Sequence, residues 1–204
     1  MLDKDLIVFD VEASGKNPDT ASIIQIGMVT ICKSDLTVLG GSNSYVKPYT
    51  RTWEDEAEGV HKLTRGFLEK NGEDIYTALN QFEKSITGHV NNYNLATWGN
   101  GYDLQLLRNA YEYAGMEFPF SHRTWDIASF VRLYLRANKM IGKDRLGLVR
   151  CAKALGINTN IFALHDAYHD AALTAEVLRA TLSLIQKQRA AVYVLKTIMN
   201  VDKK

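Results

Sequence analysis

The chain has 204 residues, 46% of them hydrophobic and 23% charged, with three prolines. That is the composition of one ordinary soluble globular domain, long enough to bury roughly 70% of its surface. No run of ~20 apolar residues occurs, which excludes a membrane-spanning helix. Met1–Asp5 lacks the basic-then-apolar pattern of a signal peptide. Cys32 and Cys151 stand far apart without a C-x-x-C pair, so a cysteine zinc site is not expected and both read as small buried thiols in a reducing compartment. The net charge of +1 argues by itself against a nucleic-acid partner, but the charge is unevenly spread. Residues 1–122 hold 10 basic and 17 acidic residues, whereas 123–153 hold 8 basic and 2 acidic. A basic segment inside a neutral chain reads either as a phosphate-tracking face or as a solvated helical surface.

The first third predicts strands. Leu6–Glu12 is an apolar run closed by the turn signal Ser14-Gly15, and Ser22–Cys32 is a second run. Thr37–Lys47 is a third, in which Gly40-Gly41 marks a turn between the second and third strands or a bulge. Their close spacing predicts an antiparallel meander. Short helices are expected at Trp53–His61 and Gly66–Asn71, and a longer one at Asp74–Val90. A strand follows at Leu95–Trp98, then an amphipathic helix at Tyr102–Gly115 and a last strand at Arg123–Asp126. Helices are expected at Ile127–Lys139, Arg145–Leu155 and Ala167–Lys187, with Gln188–Val201 continuing the last one or fraying. Strands first, then strands alternating with helices, predict an α/β fold with a mixed sheet flanked by helices.

Four acids sit where acids should be rare. Side chains alternate along a strand, so Asp10 and Glu12 share the face of Leu6 and Val8. Two carboxylates there are costly unless neutralised, and the nearest basic residue is Lys16. A divalent metal ion is the simplest neutraliser; equally, the strand could end at Phe9 with both acids solvated. Helical phase puts Asp103 in register with Leu106, Leu107, Ala110 and Tyr111, and Asp170 with Leu173, Thr174, Val177 and Leu178. Each alone reads as an acid answering a helix dipole. Four that converge make a hard-oxygen site suited to Mg²⁺ or Mn²⁺. Two such ions ~3.5–4 Å apart can hold the attacking and leaving oxygens of a phosphodiester displacement. His165, five residues before Asp170 and just ahead of a helix that Asp166 could cap, can accept a proton near neutrality.

These residues fall into motifs. Phe9-Asp10-Val11-Glu12-Ala13-Ser14-Gly15 is a strand-borne D-x-E, and Asn100-Gly101-Tyr102-Asp103 places an aromatic before its aspartate. His165-Asp166-Ala167-Tyr168-His169-Asp170 fits H-x-A-x-x-D, and Val60-His61-Lys62-Leu63-Thr64 lies between the third strand and the helices. In this order and spacing the chain resembles the DEDDh, or DnaQ-like, group of 3′→5′ exonucleases over residues 6 to about 180. The resemblance implies an RNase H-like, mixed five-stranded sheet whose first three strands are antiparallel. It implies two divalent ions held by Asp10, Glu12, Asp103 and Asp170, with His165 as general base and Glu12 close to the attacking water. Nucleoside 5′-monophosphates would leave a DNA or RNA 3′ end, most readily a single-stranded one. By position, Ala13, Ser14 and Gly15 would approach the terminal nucleotide, His61 and Leu63 would line its pocket, and Asn100 and Tyr102 would sit close by. Many relatives carry a hydroxyl residue directly after the glutamate; here that residue is Ala13, with Ser14 next. His169 competes with His165, but the motif favours His165. Asp126 reads as structural, and Glu54, Asp55, Glu56 and Glu58 as a solvated helix start.

Two other readings stay open. One is a non-catalytic nucleic-acid-binding or polymerase-accessory module on the same fold, against which all five catalytic positions being filled argues. The other is a phosphodiesterase confined to very short oligonucleotides. A homodimer through the helix-rich C-terminal third, or a polymerase partner, is compatible with the chain. The compact length fits a single exonuclease domain over 1–204, with a core of about 5–187, in a bacterial or phage-infected cytoplasm.

Overall fold

Alternation in the first strand organises the molecule. In a computed structural model of the chain, residues 2–86, 92–99, 101–121, 123–142 and 146–201 are described, 194–201 as backbone only. Strand β1 (Asp5–Ala13) buries Leu6 and Val8 in one apolar cluster and Ile7, Phe9 and Val11 in another. A strand apolar on both faces needs cover on both. Helices α3 (Ile75–Lys84) and α4 (Asp103–Tyr113) cover the Ile7/Phe9 face. Helices α5 (Ile127–Ala137), α6 (Leu148–Ala154) and α7 (Ala167–Val201) cover the Leu6/Val8 face. Two short helices, α1 (Asp55–His61) and α2 (Arg65–Asn71), lie between strand and helix halves of the chain.

Strands β2 (Ile23–Ile31) and β3 (Val38–Tyr45) extend the sheet antiparallel to β1, while β4 (Tyr93–Thr97) and β5 (Thr124–Asp126) run parallel on its other side. The order is β3-β2-β1-β4-β5. This is the expected RNase H-like mixed sheet, with its first three strands antiparallel. Every residue of β2 and β4 is buried, whereas β3 is an exposed edge. Gly40 and Gly41 lie inside β3 and not in the turn, which runs through Leu36. The bulge falls at Leu39, because Thr30 pairs with Gly40 and Ile31 with Val38. Local chemistry starts the helices: the Thr64, Asp74 and Asp126 side chains accept from Phe67, Thr77 and Ser129 N–H at the heads of α2, α3 and α5. Asp126 is therefore structural, as expected. Helix α3 ends at Lys84, short of the expected Val90, with 87–91 outside the described residues. The tail does not fray: α7 continues to Val201. No helix among the described residues is long and apolar enough to cross a membrane.

Because β1 and β4 are parallel, with Val8 beside Ala96, their carboxyl ends point the same way, and β1 runs on past the end of β4 to Ala13. Open α/β sheets bind ligands at that end of their parallel strands. Asp10 and Glu12 close β1 there, and the loop after β4 leads to Asp103.

Candidate active site

The four acids meet at this end of the sheet. Burial pushes the Asp10 carboxyl well above the usual range, and Asp103, Asp170, Glu12 and Asp166 push it further. Glu12 is pushed up to about 8 by burial, then by Asp170, Asp103 and Asp166. Asp103 rises to about 7 through burial, eased by the Thr97 hydroxyl and reinforced by Asp170. Asp170 is also raised by burial, held back by the His165 backbone N–H, which donates to its Oδ2 at 3.1 Å. Among the described residues, no lysine or arginine is among the charges that move these four. Each would be easier to ionise beside a cation, and hard oxygens crowded in this way fit a divalent one. Ligand atoms of Glu12, His165 and Asp170 all lie within 4.8 Å of one another.

His165 reaches this cluster from a strained backbone. Its φ is 63°, the left-handed region, at a cost of about 1–3 kcal/mol for a residue with a side chain. Such a conformation persists only where its surroundings over-determine it. Here they do so from β2. Gln25, 1% exposed, donates from Nε2 to Asp166 Oδ2 at 2.8 Å and accepts the Ala167 N–H on Oε1 at 3.3 Å. Two residues on, Gly27 lets α7 sit directly on the strand, since a Cβ there would lie 2.1 Å from Tyr168 N. Asp166 caps α7 as expected, accepting the His169 N–H at 3.1 Å. The competing His169 sits against Asp166: its Nδ1 lies 3.3 Å from Asp166 Oδ1, within ion-pair reach but without hydrogen-bond geometry. Gln25 and Gly27 were not among the sequence candidates. The available signal was a polar residue and a glycine inside the apolar run Ile23–Ile31.

On the other side of Glu12 lies a cavity of about 360 Å³. Of the expected second-tier residues, Ala13, Gly15, His61 and Tyr102 line it, together with Lys16 and with Val60, the first residue of the Val60–Thr64 motif. Ser14 is not in the lining; its hydroxyl accepts the Ser22 N–H at 2.8 Å inside the chain. Leu63 is not in the lining either, but its N–H donates to His61 Nδ1 at 3.0 Å. That bond leaves His61 Nε2 as the protonated nitrogen. Nε2 is buried without a hydrogen bond of good geometry, although the Ala13 backbone is close enough to favour its proton. Burial nevertheless lowers the His61 pKa. Tyr102 donates its hydroxyl to the Gly15 carbonyl. Asn100 lies outside the described residues. The acids at the start of α1 are not simply solvated: Glu56 pairs with Lys16, and Glu54 Oε1 accepts the Lys16 N–H at 3.1 Å. They close one rim of the cavity, and a Cβ at Gly15 would come within 2.6 Å of Glu54 Oε1.

Residues 7–178 match the family model described as an exonuclease, RNase T. The chain belongs to this exonuclease family, nucleases of the DEDDh type on the RNase H-like fold. Solved structures agree on the fold. The nuclease domain of 3′hExo bound to rAMP is 18% identical with a TM-score of 0.69, the match covering 88% of this chain and 92% of that one. Cell-death related nuclease 4 is 16% identical with a TM-score of 0.71, covering 89% of this chain and 64% of that one. E. coli exonuclease I in complex with a dT13 oligonucleotide is 18% identical with a TM-score of 0.73, covering 94% of this chain and 43% of its own. The chain thus spans less than two thirds of the last two. No curated protein sequence matches it.

Proposed function

We propose that the chain is a divalent-metal-dependent 3′→5′ exonuclease that releases nucleoside 5′-monophosphates from single-stranded DNA or RNA. The observation that carries this reading is the approach of Glu12, His165 and Asp170 to within 4.8 Å of one another, beside Asp10 and Asp103. Asp10, Glu12, Asp103 and Asp170 would hold two Mg²⁺ or Mn²⁺ ions, which when bound polarise the phosphate and make water more acidic. The rest falls to the chain itself. His165 takes the proton of the attacking water at an imidazole nitrogen, its backbone fixed by Asp170 and by Gln25 through Asp166. The water oxygen bonds to phosphorus, the P–O3′ bond breaks, and the released 3′-oxygen takes up a proton. The terminal nucleoside occupies the cavity beside Glu12, where Val60 and Ala13 give apolar walls and His61 and Tyr102 complete the lining. The family and the oligonucleotide and rAMP complexes of its structural neighbours support nucleic acid as the substrate class.

The test is direct. Incubating 5′- and 3′-labelled single- and double-stranded DNA and RNA with Mg²⁺, Mn²⁺ or EDTA should give mononucleotides from the 3′ end, and none with EDTA. If Asp170→Ala kept full nuclease activity with metal present, the reading would fail.

A further inference from the structure

The site has a second side, and its charge is opposite to that of the carboxylates. A cavity of about 480 Å³ runs from His165 and Asp170 to Arg150 and Lys153, between apolar Leu148 and Leu164. It meets a second cavity, of about 420 Å³, at Gly147, which lines both. The second opens between Arg132 and Arg136, one turn apart on α5. Arg132 is held in place: its Nε donates to the Leu146 carbonyl at 2.7 Å and its guanidinium lies 5.4 Å from the Trp98 ring centre. Among the described residues no carboxylate pairs with Arg132, Arg136 or Lys153. Lys16, the cation of the cavity on the other side of Glu12, is by contrast already paired with Glu56. One flank of the carboxylates is thus short, apolar-walled and charge-satisfied. The other is long and cationic, and its Arg132, Arg136 and Lys153 have no carboxylate partner among the described residues.

We infer that Arg150 with Lys153, and Arg132 with Arg136, form two successive phosphate subsites for the strand 5′ to the scissile bond. The inference rests on the exonuclease reading and adds a length to its substrate. With the terminal nucleoside beside His61 and the scissile phosphate at the acids, the next phosphate falls to Arg150 and Lys153 and the one after to Arg132 and Arg136. A dinucleotide reaches neither subsite, a trinucleotide reaches the first, and a tetranucleotide reaches both. Leu148 and Leu164 give the first subsite an apolar surface against which a base can pack.

The test measures KM on single-stranded oligonucleotides of two to six nucleotides, for the Mn²⁺-loaded wild type, Lys153→Gln and Arg136→Gln. In the wild type KM should fall in two steps, from two to three and from three to four nucleotides, each about five- to tenfold, and then stay level. Lys153→Gln should weaken the first step and Arg136→Gln the second. Both side chains are exposed, so these variants keep the fold, unlike changes at the bracing Arg132. Fluorescence anisotropy of a labelled hexanucleotide with the EDTA-treated protein should show the salt slope of binding falling by about 0.7 for each cation removed. A KM independent of length, one lowest for dinucleotides, or variants that keep both steps and the wild-type salt slope would overturn the track. Absence of mononucleotide release by the wild type at every length would instead overturn the exonuclease reading beneath it.

Discussion

The carboxylate end of the sheet and the α5–α6 trough are adjacent, oppositely charged, and built on different physics. The acids are crowded and partly buried, so their repulsion is strong and their pKa values move. Arg132, Arg136 and Lys153 stand on a wetter surface where charges are screened. A metal–phosphate backbone satisfies both at once, offering cations to the first and anions to the second. The contrast implies that errors in the first region should be nearly all-or-none in rate, and errors in the second graded and salt-dependent.

That contrast can be broken at the acids first. Asp10→Asn should cost about 10³-fold or more in kcat, since a bound metal supplies several kcal/mol of transition-state stabilisation. The same substitution removes one of the repelling charges, so the metal-free variant should melt higher than wild type at pH 8 in calorimetry. A variant that is both inactive and less stable would contradict the repulsion. His165→Ala should lower kcat by about 10²–10⁴ while leaving Mn²⁺ affinity by titration calorimetry near wild type. Gln25→Leu acts one step further out. It should cost about 10–100-fold in kcat with little change in KM, because it frees the loop that aims His165 and leaves the substrate cavities intact. Equal losses in kcat and thermal stability, with KM raised, would show that Gln25 merely holds the fold.

The smallest effect is thermodynamic. Glu12 titrates near 8 in the folded chain and its unfolded pKa is about 4, so the folded state binds the extra proton between these values. Stability is fully present below pH about 4 and is lost as pH rises toward 8. Metal-free protein should therefore melt progressively lower from pH 5 to pH 8. Mn²⁺ at about 100 times its Kd should add about 2.7 kcal/mol, or roughly 5–10 °C, and flatten that slope. A melting temperature that rises with pH in EDTA would show that the acids are not crowded in the folded chain.

The strand period exposed the two faces of β1 in the sequence, and helical phase exposed Asp103 and Asp170, because burial leaves a repeat that can be read locally. What stayed hidden depends on contacts between distant residues. Gln25 meets Asp166 across 141 positions, and nothing near Gln25 in the chain predicts that partner. Ser14 stood next to the D-x-E motif and was expected at the substrate, yet its hydroxyl is taken by Ser22 in the turn. Glu54 and Glu56 read as a solvated run because their partner, Lys16, lies some 40 residues away. The edge of the trough was legible only as a count of basic residues. Which of them share a cavity is decided by the packing of α5 against the loop before α6, and Lys143 and Arg145 lie outside the described residues.

Helix α7 has a mechanical consequence. Its first turn is set on Gly27 and carries Asp170, its buried side chains recur as far as Thr181, and those from Gln186 to Tyr193 are exposed. At about 1.5 Å per residue the 35-residue helix is a rod of about 50 Å, packed on the sheet over its first half and tied further along to the end of α5, where Gln188 Nε2 donates to Asn138 Oδ1 at 2.9 Å. Any motion of the helix beyond Thr181 therefore reaches Asp170 only through the packed stretch between them.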